Sequence, residues 1–177
     1  MLTGPRVALA SVGEDDLPQL YRWINDRELV GLSAPYRPVH FSDHDAWWRS
    51  IAGDPTVELF AIRLRDDDRL VGTCQLLAID GRHRTAELQI RIGEPDARGR
   101  GLGTEAVGLL LRHAFADRDL LRVSLHVHAS NDPALATYEK SGFVREGVLR
   151  EAAFVDGRRE DVVVMAILRS DWERGGG

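Results

Sequence analysis

The loop Arg98-Gly99-Arg100-Gly101-Leu102-Gly103-Thr104 carries the strongest chemical signal in the chain. It lies between a segment that alternates like a strand and one with helical apolar spacing. Glycines there let backbone N–H groups approach a ligand with no Cβ in the way. A helix starting at the loop adds unpaired amides and the positive end of its dipole. Together these suit a phosphate or pyrophosphate, and Arg98 and Arg100 add charge. Spacing excludes two other phosphate loops. A P-loop ends in Gly-Lys-Ser/Thr, whereas Gly103 is followed by Thr104 and Glu105. A dinucleotide fingerprint reads G-x-G-x-x-G, whereas Gly99, Gly101 and Gly103 give G-x-G-x-G. A flexible helix entry with no ligand is the competing reading of the loop taken alone.

Elements on either side must position that loop. Thr85 to Ile92 alternates, with Ala86, Leu88, Ile90 and Ile92 on one face and Glu87, Gln89 and Arg91 on the other. After the loop, Ala106, Val107, Leu109, Leu110, Leu111, Ala114 and Phe115 predict one long amphipathic helix. Leu121 to His128 reads as a strand. Asp132-Pro133 starts a helix that Gly142 stops. Upstream, Arg6 to Ala10 reads as a strand, Glu14 to Asp26 as a helix, and Ser42 or Asp43 caps a second helix through about Ile51. Glu58 to Leu64 and Leu70 to Ile79 form a hairpin, and Phe143 to Leu149 with Glu160 to Leu168 close the chain. The order β, α, α, three strands, α, β, α, β, β predicts a mixed sheet in one α+β domain. The core is expected over 6–172, with a loose tail at 173–177.

Asn131-Asp132-Pro133-Ala134 and Thr137-Tyr138-Glu139-Lys140-Ser141-Gly142-Phe143 follow the strand after the loop. With the Arg-x-x-Gly-x-Gly loop before them, these residues resemble the GNAT superfamily of N-acetyltransferases. The likeness is closer to its ribosomal-protein-alanine and spermidine acetyltransferase branch. His83 to Ile90 and Gly147-Val148-Leu149-Arg150, with Phe154, Asp156-Gly157 and Asp161, resemble the matching parts of the spermidine enzymes. The likeness is strong over roughly 58–172.

The resemblance implies a sheet splayed at its centre and acetyl-CoA as donor. Arg98 to Thr104 would hold its pyrophosphate, and its arm would lie in the splay against Ile90, Arg91 and Ile92. A backbone N–H there would hold the developing oxyanion. Asn131 would bond the arm, and Tyr138 would lie near the sulfur. A neutral amine would attack the thioester directly, with Tyr138 as the acid for the departing thiolate and Glu87 as first candidate for the base. A packed phenol and an arginine partner are the competing roles for these two residues. His126 and His128 share a strand face, and either would serve as a relay. In this family the segment from Trp23 through the second helix lies across the acceptor side. Trp23, Asp26, Glu28, Tyr36, Trp47, Glu87 and His128 are therefore the candidate acceptor residues. Rings suit an apolar body and carboxylates an ammonium.

The acceptor stays open. A small-molecule amine (amino sugar, amino-acid-like amine or polyamine), a protein N-terminus or lysine, and a non-catalytic acyl-CoA sensor all fit. The first half lacks an obvious dense acidic cluster beyond Glu14-Asp15-Asp16 and Asp43-Asp45, so a mono-amine is expected over a polyamine.

Bulk composition agrees with this reading. The 177 residues are 44% hydrophobic and 29% charged, enough for one soluble domain. The net charge of −5 disfavours nucleic acid and permits a cationic substrate. The single cysteine, Cys74, sits in an apolar run and is expected to be a structural thiol. His83, His126 and His128 lack metal-ligand spacing, so no metal is expected. No membrane or signal segment is recognised, so the location is read as cytoplasmic. The resemblance also implies pairing through the later strands, so a homodimer is carried as a partner.

Overall fold

The structure is a computed structural model and describes residues 1–176. β1 (Leu2–Thr3) and β2 (Val7–Ser11) lead through a 3₁₀ turn to α1 (Leu17–Ile24), α2 (Arg27–Gly31) and α3 (Phe41–Ile51). β3 (Glu58–Leu64), β4 (Leu70–Asp80) and β5 (Thr85–Ile92) follow as a meander. A second 3₁₀ turn then precedes α4 (Leu102–Arg112), β6 (Arg122–His128), α5 (Asp132–Lys140), β7 (Val144–Val155), β8 (Arg158–Leu168) and α6 (Arg169–Arg174). The strands make one sheet in the order β1-β2-β3-β4-β5-β6-β8-β7. Every neighbouring pair is antiparallel except β5 with β6.

Alternation in the sequence sets which face of the sheet meets which helix. In β5 the buried Ala86 and Leu88 join a core with Ala106, Val107 and Leu110 of α4 and Leu135 of α5. Apolar residues on one face of a strand must be covered, and α4 and α5 cover this one. The other face carries a smaller cluster of Val12, Leu20, Trp23, Leu29 and Ala61, closed by α1 and α2. Cys74 is 1% exposed, and burial pushes its thiol well above the usual range, so it is an inert core residue.

The parallel pair is short. Thr85 meets Arg122, Ala86 meets Val123 and Glu87 meets Ser124, and there the ladder stops. β5 continues against β4 as far as Ile92, and β6 continues against β8 as far as His128. From Leu88 and Leu125 onward the two facing edges therefore diverge. This is the central splay that the resemblance implies.

Three local features differ from expectation. The first long helix is a 3₁₀ turn over Glu14–Asp16 followed by α1, and α2 is a separate turn capped by Asp26. The helix after the glycine loop ends in a π-helical stretch, His113–Asp117. There His113 bonds both Asp117 and Glu58 at 2.8 Å, side-chain contacts that apolar periodicity does not report. The tail is not wholly loose. α6 includes Glu173 and Arg174, and Trp172 packs its ring 5.5 Å from that of Phe115. Gly177 lies outside the described residues.

Candidate active site

The glycine loop enters α4 with no side-chain cap. Gly101 is the N-cap at φ +76, and Gly99 has φ +70, a left-handed conformation that side chains with a Cβ resist. A helix start leaves its first amides without intrahelical partners. Those of Leu102, Gly103 and Thr104 are therefore available to an anion. The loop is braced on two sides. Arg98 donates to the carbonyls of Ile92 at 3.0 Å and Gly93 at 2.8 Å. Its guanidinium thus straps the loop to the end of β5. Arg6 donates to the Arg100 carbonyl at 2.8 Å and pairs with Glu105 at 2.9 Å. Sequence reading missed Arg6, because nothing local connects it to a loop more than ninety residues away.

A cavity of about 580 Å³ lies between the sheet and α1–α3 and extends to the splay. Trp23, Trp47, Glu87, Ile90, Arg91 and Tyr138 from the expected set all line it. Glu87 stands 3.5 Å from Nδ1 of His126, which lies just past the last rung of the parallel pair. Tyr138 is 6% exposed, its ring lies edge-on to Phe143 at 5.7 Å, and burial pushes its hydroxyl up to about 12. That hydroxyl has no hydrogen-bond partner among the described residues and stays protonated at neutral pH.

Other expected residues stand apart. Asp26 caps α2 by accepting from the Leu29 N–H at 3.0 Å. Glu28 is exposed on α2, and Tyr36 lies under the Arg27 guanidinium, 5.9 Å from its ring centroid. His128 is buried beside Glu160, with Nδ1 3.6 Å from the carboxylate. None of these four lines the cavity. α2 turns its polar side outward, and β6 has carried His128 past the splay. Asn131 caps α5 and donates to the Leu32 carbonyl at 3.1 Å, which leaves one amide hydrogen for a ligand.

The cavity contains residues outside the expected acceptor set. Arg37, Asp43 and His44 come from the α2–α3 segment and α3. His44 is buried between Tyr21 and Trp47, and burial lowers its basicity, so it is a neutral roof residue. Among the described residues, no His, Cys, Asp and Glu side chains gather in groups of three or more that suit a metal ion.

Gly93 sets how closely α1 approaches the sheet. A Cβ there would sit 2.0 Å from the Trp23 indole, which itself donates to Glu94 at 3.2 Å. Gly93→Ala should cost about 1–3 kcal/mol by overpacking and displace the Trp23 wall. An unchanged thermal midpoint together with unchanged acceptor KM would refute this.

Residues 6–144 match the family model described as an acetyltransferase (GNAT) domain. The chain is 30% identical over 169 residues to the spermidine N(1)-acetyltransferase of Vibrio cholerae, covering 94% of this chain and 95% of the relative. The spermidine N(1)-acetyltransferase of Escherichia coli is 33% identical over 106 residues, 60% of this chain and 56% of that one. A crystal structure of the Vibrio cholerae spermidine N-acetyltransferase in complex with CoA and spermine superposes with a TM-score of 0.89 at 29% identity. It covers 96% of this chain and 99% of the other. The chain therefore belongs to the acetyltransferase (GNAT) family and is an N-acetyltransferase with acetyl-CoA as its donor.

Proposed function

We propose that the chain acetylates a primary amine of a small molecule held in the cavity between the sheet and α1–α3. One observation carries this reading. The space beneath the α1–α3 roof runs to the splay, and Glu87 and Tyr138 line that same space. An acceptor there is shielded on the side where a peptide would need an open groove.

The uncapped amides at the start of α4 suit the donor's pyrophosphate, and the diverging edges of β5 and β6 suit its arm as an added strand. The donor supplies an acetyl thioester. Glu87, with His126 behind it, takes the proton from the entering ammonium, directly or through one water. A backbone N–H of β5 between Ile90 and Ile92 holds the negative charge that develops on the carbonyl oxygen. Tyr138 gives its proton toward the departing sulfur.

The test is coenzyme A release by the purified protein across polyamines, amino sugars, amino acids and short peptides. Spermidine, named for the two relatives, belongs in the panel. Turnover confined to small amines is the expected result. Turnover confined to peptides or proteins would overturn the reading.

A further inference from the structure

We infer that the acceptor carries an anionic group as well as its amine, and that the Arg91 side chain receives that group. The inference rests on the small-amine reading above. It concerns the side chain of Arg91, which lies on the cavity face of β5, whereas the donor is expected against the backbone of that strand.

Arg91 is half-buried, lines the cavity, and has no carboxylate within 4.0 Å among the described residues. Its one hydrogen bond is a long one, 3.4 Å, to the Ser33 hydroxyl. The other shielded arginines each meet a carboxylate or backbone carbonyl. Arg63 meets Asp16 at 2.6 Å, Arg122 meets Glu146, Arg169 meets Asp119 at 2.8 Å, and Arg98 holds two carbonyls. A shielded guanidinium without an anion is costly, and burial lowers the basicity of Arg91 accordingly. Such a fork suits a carboxylate or phosphate held by two parallel hydrogen bonds.

The rest of the cavity agrees. Its arginines and carboxylates are Arg37, Arg91, Asp43 and Glu87, two of each sign, and Glu87 already faces His126. A polyamine with its amine at Glu87 would bring a further ammonium toward the Arg91 guanidinium, which has no carboxylate partner of its own among the described residues. Glu87 and Arg91 are four residues apart on one face of one strand, so their Cα atoms are about 13 Å apart. Glu87 takes the amine's proton and Arg91 receives the anion, so an acceptor with its two groups at opposite ends of an extended chain, such as an ω-amino acid, fits that separation.

The experiment compares ε-aminocaproate with cadaverine, which have the same methylene chain and amine but opposite charge at the far end. Norleucine and spermidine complete the set. The wild-type protein should show kcat/KM for ε-aminocaproate at least about tenfold above that for cadaverine. Arg91→Gln should lower the first by about tenfold and raise the second, and Arg91→Glu should reverse the preference. The ratio of the two kcat/KM values, in which any change in acetyl-CoA binding cancels, is the readout in both variants. Cadaverine or spermidine preferred by the wild type would overturn the inference without any variant being needed. An unchanged ratio in Arg91→Gln, or a loss confined to acetyl-CoA affinity, would overturn it as well. Silence across every small amine would instead overturn the underlying small-amine reading, and this inference with it.

Discussion

Tyr138→Phe should cut turnover by about a hundredfold or more while leaving the affinity for acetyl-CoA within about twofold. The substitution removes one oxygen and keeps the ring against Phe143. That hydroxyl bonds nothing else among the described residues, so its loss should leave the fold nearly as stable as before. What is lost is a proton held ready at the splay. Burial pushes the Tyr138 hydroxyl up to about 12, so the acid form is full throughout any practical assay. The sign of the pH dependence follows. Tyr138 would lose its proton only as pH rises through that value, so it should produce no alkaline fall in kcat at about pH 8–10. Steady-state kinetics of both proteins across that window checks both statements. Unchanged kcat in the Phe variant would remove Tyr138 from the chemistry. An alkaline limb present in the wild type and absent in the variant would mean that the hydroxyl titrates much lower in the working complex.

How much of this was legible in the sequence depends on how local the cause is. The alternation from Thr85 to Ile92 is a property of one strand, and it correctly places Glu87, Gln89 and Arg91 on the face away from α4. The glycine loop and the helix it opens are equally local. The acceptor side is different, because it is made where α1, the α2–α3 segment and α3 settle on the sheet. Asp26 looks like an ammonium ligand by type, yet as an N-cap it accepts a bond from Leu29. His128 shares a strand face with His126, yet two residues further along β6 it has left the splay and lies beside Glu160. Arg98 looks like a phosphate ligand by its place in the motif, yet two nearby carbonyls take its guanidinium first. Asp26 and Arg98 are taken by backbone groups three to six residues away, competitors that residue type alone does not rank, whereas the Glu160 beside His128 is a tertiary contact that spacing cannot report.

The same distinction explains why the donor and acceptor halves of the site differ in how they specify a ligand. The donor half consists of backbone: uncapped amides at α4 and two strand edges that part after Glu87 and Ser124. Such a surface can be shared by many sequences, which is consistent with a close structural match at 29% identity. The acceptor half consists of side chains on three helices and the polar face of β4 and β5. On the proposed reading selectivity sits in cavity residues such as Arg91 and Arg37, and a relative's substrate does not carry over with the fold.

Gly101→Val is the sharpest test of the backbone half, and the structure shows how it should act. The new Cβ would meet Arg6 Nη2 at 3.3 Å, the movable end of a largely exposed side chain, so steric blockage is a minor effect. The φ of +76 is the larger one. A β-branched residue resists the left-handed region, at roughly 1–2 kcal/mol in the general case, and relieving that strain turns the peptide planes that aim the loop amides. Two such amides lost from a charged phosphate would weaken binding by at least about tenfold, since hydrogen bonds to charged groups are worth about 1.5–3 kcal/mol each. The dissociation constant for CoA should therefore rise at least that much, while the thermal midpoint falls by only a few degrees (about 2–8 °C for a loss of this size). Calorimetric titration of CoA and a melting curve on the same preparation separate the two effects. Full CoA affinity in a folded Gly101→Val protein would mean that the pyrophosphate is held elsewhere. A protein that melts far earlier but binds normally below its midpoint would assign Gly101 to the architecture of α4 and not to the donor site.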